Sequence, residues 1–253
     1  MSVENMIAYE NVSKSYNGIS VVQHFNLTVP KGAFVTIIGS SGSGKTTVLK
    51  MVNGLVTPDS GRILIKGEDM RQMDLIALRR QIGYAIQGSV LFPHLTVAEN
   101  IAYVPELLNG RDKAKTKAAV RKWLAKVGLS ETLLERYPSE LSGGQQQRVG
   151  IARALAASPE LVLMDEPFGA VDEITRGQLQ DEIQSIHHQE GITILFVTHD
   201  IHEALKLGTR VLVMDHGQIQ QYASPEEILH QPATDFVRRL VDKEKRQQAL
   251  LES

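Results

Sequence analysis

The nine residues Gly39-Ser40-Ser41-Gly42-Ser43-Gly44-Lys45-Thr46-Thr47 carry the clearest chemical signal in the chain. Glycines at this spacing let successive backbone N–H groups turn into one concavity, a conformation that side chains resist, and such a nest binds anions. Lys45 adds a mobile positive charge and the Thr46 hydroxyl adds a hard oxygen ligand. Together they read as a cradle for nucleotide phosphates, with Lys45 toward the β and γ positions and Thr46 toward Mg²⁺. This loop alone means only that a nucleotide binds, and leaves kinases, GTPases and ATPases open.

Two further segments narrow the chemistry. Asp165-Glu166-Pro167 follows the apolar run Leu161-Val162-Leu163-Met164. An acidic pair at the end of a buried strand is costly unless it meets a cation or a proton. Asp165 can hold Mg²⁺ through water, and Glu166 can polarise an attacking water. Leu141-Ser142-Gly143-Gly144-Gln145 opens the helical run Gln146 to Leu155 and presents serine and glycine amides at a positive helix end, a second phosphate-binding half-site. His199 and His202 beside Glu203 lack a third metal ligand at a supporting spacing. His187 and His188 lie in a polar helical stretch and read as surface residues.

These residues need elements to position them. Short apolar, β-branched runs at 33–38, 82–86, 160–164, 192–197 and 210–214 alternate with helical patterns, the signature of a parallel sheet covered by helices. The phosphate loop sits where that arrangement requires, after the 33–38 strand and before a helix. Residues 6–16 and 20–29 alternate apolar and polar side chains and predict an antiparallel layer. Between Pro93 and Pro159 only helical patterns occur, at 96–103, 113–127, 131–136 and 143–157. The fold class is therefore α/β, with an inserted helical subdomain at about 89–158 in a core of about 1–88 and 159–253. Met164 and Met214 read as core filler.

The 253 residues carry a formal net charge of −2, with 42% hydrophobic and 22% charged residues, an ordinary globular composition that excludes disorder and fibrous repeats. No apolar stretch reaches the roughly 20 residues of a spanning helix, and the first ten residues lack a signal-peptide pattern, so a cytoplasmic location is expected. Without cysteine there are no disulfides, thiolate nucleophiles or cysteine-zinc sites. The charge balance gives no global support to a nucleic-acid surface.

The string Leu141 to Gln145, ending 20 residues before Asp165, is similar to the signature motif of ATP-binding cassette proteins, and the resemblance extends over essentially the whole chain. It implies a RecA-like phosphate-loop core and ATP hydrolysis. It also implies that Tyr16 stacks on adenine, that Gln87 senses Mg²⁺ and couples to a membrane subunit, that Asp172 acts across a dimer, and that His199 contacts the γ-phosphate. Catalysis is then expected from Glu166, His199 and Lys45. ATP is expected at Tyr16, residues 39–47, Gln87, Ser142, Gly143, Gly144, Gln145 and Asp172, and Mg²⁺ at Thr46, Gln87 and Asp165. In that family two chains sandwich two ATP molecules head to tail, closing on binding and opening on hydrolysis.

Transport then needs separate permease subunits and, through them, an extracytoplasmic solute-binding protein, which places the chain on the cytoplasmic face of the membrane with no nucleic-acid partner. Docking is expected around residues 87–94, where Leu91 and Phe92 either meet a partner or pack inside the helical subdomain. The string 91–97 with Glu99-Asn100-Ile101 resembles importer cassettes. The segments 82–87, 136–138, 165–170, 175–180 and 197–204 resemble the osmoprotectant branch, which moves glycine betaine, choline, carnitine and related quaternary amines. Amino-acid, polyamine and sulfonate importers are the alternatives, with a nucleic-acid ATPase behind them. Many members of the branch add regulatory repeats after the cassette. None is expected here, since the sequence stops at Ser253.

Overall fold

The structure, a computed structural model, describes residues 4–86, 91–110, 112–169 and 171–251, with the side chains of 243 and 245–251 excepted. The chain forms two compact units, Met1–Leu75 with Thr193–Ser253, and Ile76–Ile192.

In the first unit, alternating side chains build strands β1 (Asn5–Tyr16) and β2 (Ile19–Pro30), which bury Ile7, Tyr9, Val12, Val22, Phe25, Leu27 and Val29. Asn17 and Gly18 join them with φ of 51° and 78°, the paired positive values that suit a two-residue hairpin. Strands β4 (Ser60–Ile65) and β5 (Glu68–Asp69) extend this antiparallel sheet in the order β2-β1-β4-β5. Parallel to one another run β3 (Phe34–Gly39), β8 (Thr193–Val197) and β9 (Arg210–Asp215), while β10 (Gln218–Ala223) returns antiparallel to β9.

Helix α1 (Lys45–Val52) follows the phosphate loop and receives a 3.1 Å hydrogen bond from the Tyr9 hydroxyl at Val48 O. Complete burial pushes that hydroxyl's pKa well above the usual tyrosine range. Helices α7 (Ile201–Leu207), α8 (Pro225–His230) and α9 (Asp235–Leu251) pack Ala204, Ile228, Val237 and Val241 against Ile38, Val211 and Val213.

In the second unit, α2 (Leu75–Gln81) leads into β6 (Ile82–Ala85), which pairs in parallel with β7 (Leu161–Asp165). Helices α3 (Val97–Leu108), α4 (Lys113–Lys126) and α5 (Gly143–Leu155) fill the interval between them, and α6 (Glu173–Glu190) follows β7. The predicted helix at 131–136 is only a single tight turn, Glu131–Leu133. His187 is buried rather than on the surface, because α6 turns it inward with Ile183 and Ile186 while His188 stays exposed. Leu91 is buried, and the half-buried Phe92 ring lies 4.8 Å from Tyr103 and 5.3 Å from the Arg153 guanidinium, so Leu91 packs inward while Phe92 keeps part of its ring at the surface.

Arg148 of α5 ties this unit together. It donates to Val127 O at 2.8 Å and pairs with the Glu182 carboxylate on α6. Removing one partner strands the other charge in a largely dry site. Glu182→Ala is expected to cost about 2–3 kcal/mol, read as a lower urea midpoint with an unchanged slope.

Candidate functional site

Strand β3 delivers the phosphate loop, and backbone sterics explain its sequence. Gly39 has φ of 154°, and a Cβ there would lie 1.9 Å from Met214 O on the neighbouring β9. Gly44, the residue before α1, has φ of 94°, and its Cβ would approach Val21 O to 2.7 Å. Lys45, 8% exposed, folds back over the loop and donates to Gly39 O at 3.0 Å and Ser40 O at 2.8 Å. Ser43 Oγ is buried and meets no hydrogen-bond partner among the described residues. A buried hydroxyl with no partner, set in a nest of amides at a helix start, fits an incoming phosphate oxygen. Ser41 and Gly42 are exposed, and Thr46 and Thr47 are half-buried.

Asp215, at the end of β9, accepts a 2.6 Å hydrogen bond from Ser40 Oγ and so anchors the loop from the adjacent strand. Sequence reading missed it. The available signal was the same as for Asp165, a carboxylate at the carboxyl end of a buried strand. His199 lies exposed between β8 and α7, and Tyr16 lies 44% exposed at the end of β1, with Lys14 Nζ 5.4 Å from its ring centre.

In the second unit, Asp165 closes β7 at 9% exposure. Glu166 follows with φ of 44°, a left-handed conformation that costs a non-glycine residue about 1 kcal/mol. Such strain persists where surrounding contacts impose it, and one of those contacts is visible: the buried Gln147 side chain on α5 donates to Pro167 O. Tyr84 on β6 stands opposite Leu163, on the sheet face that Asp165 shares. Its hydroxyl is buried without a hydrogen-bond partner among the described residues, and burial, then the Asp165 charge, pushes its pKa up to about 12.

Ser142 caps α5, accepting from Gln145 N at 3.3 Å while its own N–H donates to Gln145 Oε1 at 2.9 Å. The Ser142 and Gln145 side chains are therefore spent on the helix start, while Ser142 and Gly143 remain exposed. Gly144 packs against α6, where a Cβ would sit 3.2 Å from Thr175 Cγ2. Asp172 caps α6 by accepting from Thr175 N at 3.0 Å, and this backbone hydrogen bond lowers its carboxyl pKa. Gln87, with residues 88–90 of the expected docking stretch, and Ala170 lie outside the described residues.

A glycine-rich nest between a buried parallel strand and a helix, in an α/β chain with an antiparallel layer and a helical insertion, defines a RecA-like phosphate-loop nucleotide-binding protein. The model of the family described as "ABC transporter" matches residues 22–169. The chain belongs to this family, as its ATP-binding and ATP-hydrolysing cassette.

It is 51% identical over 234 residues to the glycine betaine uptake system ATP-binding protein YehX of Escherichia coli K12, covering 92% of this chain and 76% of that one. It is 49% identical to the glycine betaine/carnitine/choline transport ATP-binding protein OpuCA of Bacillus subtilis 168, covering 95% of this chain and 63% of that one. Among solved structures it is similar to the dimeric post-hydrolysis state of the ATP-binding cassette MJ0796 bound to ADP and Pi. There the TM-score is 0.79 at 33% identity, covering 87% of this chain and 99% of that one.

Proposed function

We propose that this cassette binds ATP with Mg²⁺ and, as a head-to-tail homodimer on the cytoplasmic side of a membrane, powers import of a quaternary ammonium or betaine-type osmolyte. In this reading residues 39–47 hold the phosphates, with Lys45 countering the charge that develops on them. Tyr16 offers a ring face to adenine. Glu166 accepts a proton from the attacking water, and His199 contacts the γ-phosphate. Ser142, Gly143, Gly144 and Gln145 complete the partner's nucleotide site, beside Asp172.

Thr46, Asp165 and Gln87 would hold Mg²⁺, which neutralises phosphate charge when bound. The orphaned Ser43 hydroxyl and the folded-back Lys45 support the phosphate assignment. Dimerisation draws its support from the dimeric form of the similar cassette MJ0796. Among the described residues no helix is long and apolar enough to cross a membrane, and separate permease subunits form the membrane path in this reading. The helical segment at about 89–158 is the part proposed to carry their docking surface, with an external binding protein delivering the solute.

The observation that carries the cargo is the set of relatives at 47–51% identity whose names specify glycine betaine, carnitine, choline or osmoprotectant import. A second reading, an oxyanion importer, follows from a sulfate/thiosulfate cassette of Synechococcus elongatus at 45% identity. Uptake of labelled glycine betaine and of labelled sulfate, in cells with and without this chain, separates the two. Loss of betaine uptake with sulfate uptake retained is expected, and the reverse pattern defeats the osmolyte assignment. A binding protein with an aromatic cage, encoded beside this chain, would mark a quaternary ammonium cargo by cation–π attraction.

A further inference from the structure

The proposed role of His199 requires its ring to be held at one height above the phosphate loop, and the residues around it form a closed brace. Thr198 is 1% exposed and Glu203 5% exposed, whereas His199 between them is exposed. Thr198 Oγ1 donates to Glu203 Oε2 at 2.6 Å, the short distance of a hydroxyl bonded to a carboxylate. The same oxygen accepts from Asp200 N at 3.0 Å. Asp200 in turn caps α7, accepting from His202 N at 2.8 Å and Glu203 N at 3.3 Å. Outside this ring, Thr198 N donates to Ile37 O at 3.1 Å, on the strand that ends in the phosphate loop at Gly39.

The backbone on both sides of His199 is thus pinned, by Thr198 to β3 and by Asp200 to Thr198. A carboxylate buried at this depth is costly, and the Thr198 hydroxyl is one of the groups that offsets the cost, while its oxygen also fixes Asp200 N. A helix cap alone would need only Asp200. The added Thr198–Glu203 bond ties the first turn of α7 back to the residue that precedes His199.

We infer that Thr198 and Glu203 are positioning residues for ATP hydrolysis, acting through His199 by holding its backbone against the phosphate-loop strand. The inference rests on the reading of His199 as the γ-phosphate contact. Both side chains are buried and bonded to each other. Displacing His199 by a fraction of an ångström weakens a contact made most strongly in the transition state, so turnover falls while nucleotide affinity holds.

The test uses the full chain and four variants, Thr198→Val, Thr198→Ser, Glu203→Gln and His199→Ala, with kcat, KM and fluorescent ATP-analogue affinity measured for each. Thr198→Val keeps the side-chain shape and removes the hydroxyl. It is expected to lower kcat about 10- to 100-fold with analogue affinity retained. Thr198→Ser restores the hydroxyl and most of the rate. Glu203→Gln keeps an acceptor for that hydroxyl and falls between them.

The discriminating measurement is the double variant, because a residue acting through His199 has nothing left to position once the ring is gone. Thr198→Val added to His199→Ala should cost no further rate. Loss of kcat and analogue affinity in parallel, or a full additional loss in the double variant, overturns the brace and leaves only a folding role. Unchanged turnover in His199→Ala overturns the reading of His199 and the brace with it. Loss in His199→Ala with normal turnover in Thr198→Val overturns the brace alone.

Discussion

Glu166→Gln is expected to lower steady ATP turnover by about 10²- to 10⁴-fold, the range lost with a general base, while ATP binding is retained. The carboxamide has nearly the shape of the carboxylate but cannot accept a proton from water. The turn that carries it, at φ of 44°, is held in part by the hydrogen bond from Gln147 to Pro167 O, which the substitution leaves in place. The arrested enzyme then accumulates with ATP bound. In that background light scattering should show a monomer converting to a dimer on adding Mg-ATP, because the proposed partner site needs intact nucleotide. Phosphate release is the second readout. Retained turnover would show that another group takes the proton, and a stable dimer without nucleotide would show that other contacts dominate association.

Gly39→Ala is expected to destabilise the chain by about 3 kcal/mol or more, a large share of the 5–15 kcal/mol that holds a typical domain together. Two costs act together. The φ of 154° disfavours any L side chain, and the new methyl would fall 1.9 Å from Met214 O, which belongs to the backbone of a strand in register with Gly39. Neither β3 nor β9 can yield without losing ladder hydrogen bonds.

Gly42→Ala supplies the control. Its φ of 75° carries a similar conformational penalty, yet nothing lies within 4 Å of the added methyl, so a loss of only about 1 kcal/mol is expected. Urea denaturation of the two variants measures the difference. Equal shifts in midpoint would mean that the loop tolerates the methyl by moving, and that packing against Met214 does not fix Gly39.

The chemistry of the site was legible because its signals are local in the chain. Residues 39–47, 141–145 and 165–166 each pair a residue type with a neighbouring strand end or helix start, and that pairing survives in a linear reading. The strands at 33–38, 160–164, 192–197 and 210–214 were legible for a similar reason: strands buried on both faces must be apolar along their whole length. Strands β4 and β10 escaped: β4 opens on Ser60-Gly61, and β10 reads Gln-Ile-Gln-Gln-Tyr-Ala. Their periodicity is weak because pairing and packing, rather than composition, select their conformation.

What the sequence alone determined is the class of protein: a phosphate-loop, ATP-hydrolysing cassette in an α/β chain. What only the tertiary structure decided is which side chains act on which others across long stretches of chain. Ser40 reaches Asp215 across 175 residues of sequence, and Arg148 reaches Glu182 across 34. The burial of His187 and the inward packing of Leu91 were likewise set by their neighbours in space. Each of these depends on a residue brought near by strand register or helix packing. Spacing along the chain encodes local backbone geometry, whereas hydrogen bonds between distant residues exist only once the sheet has fixed their separation.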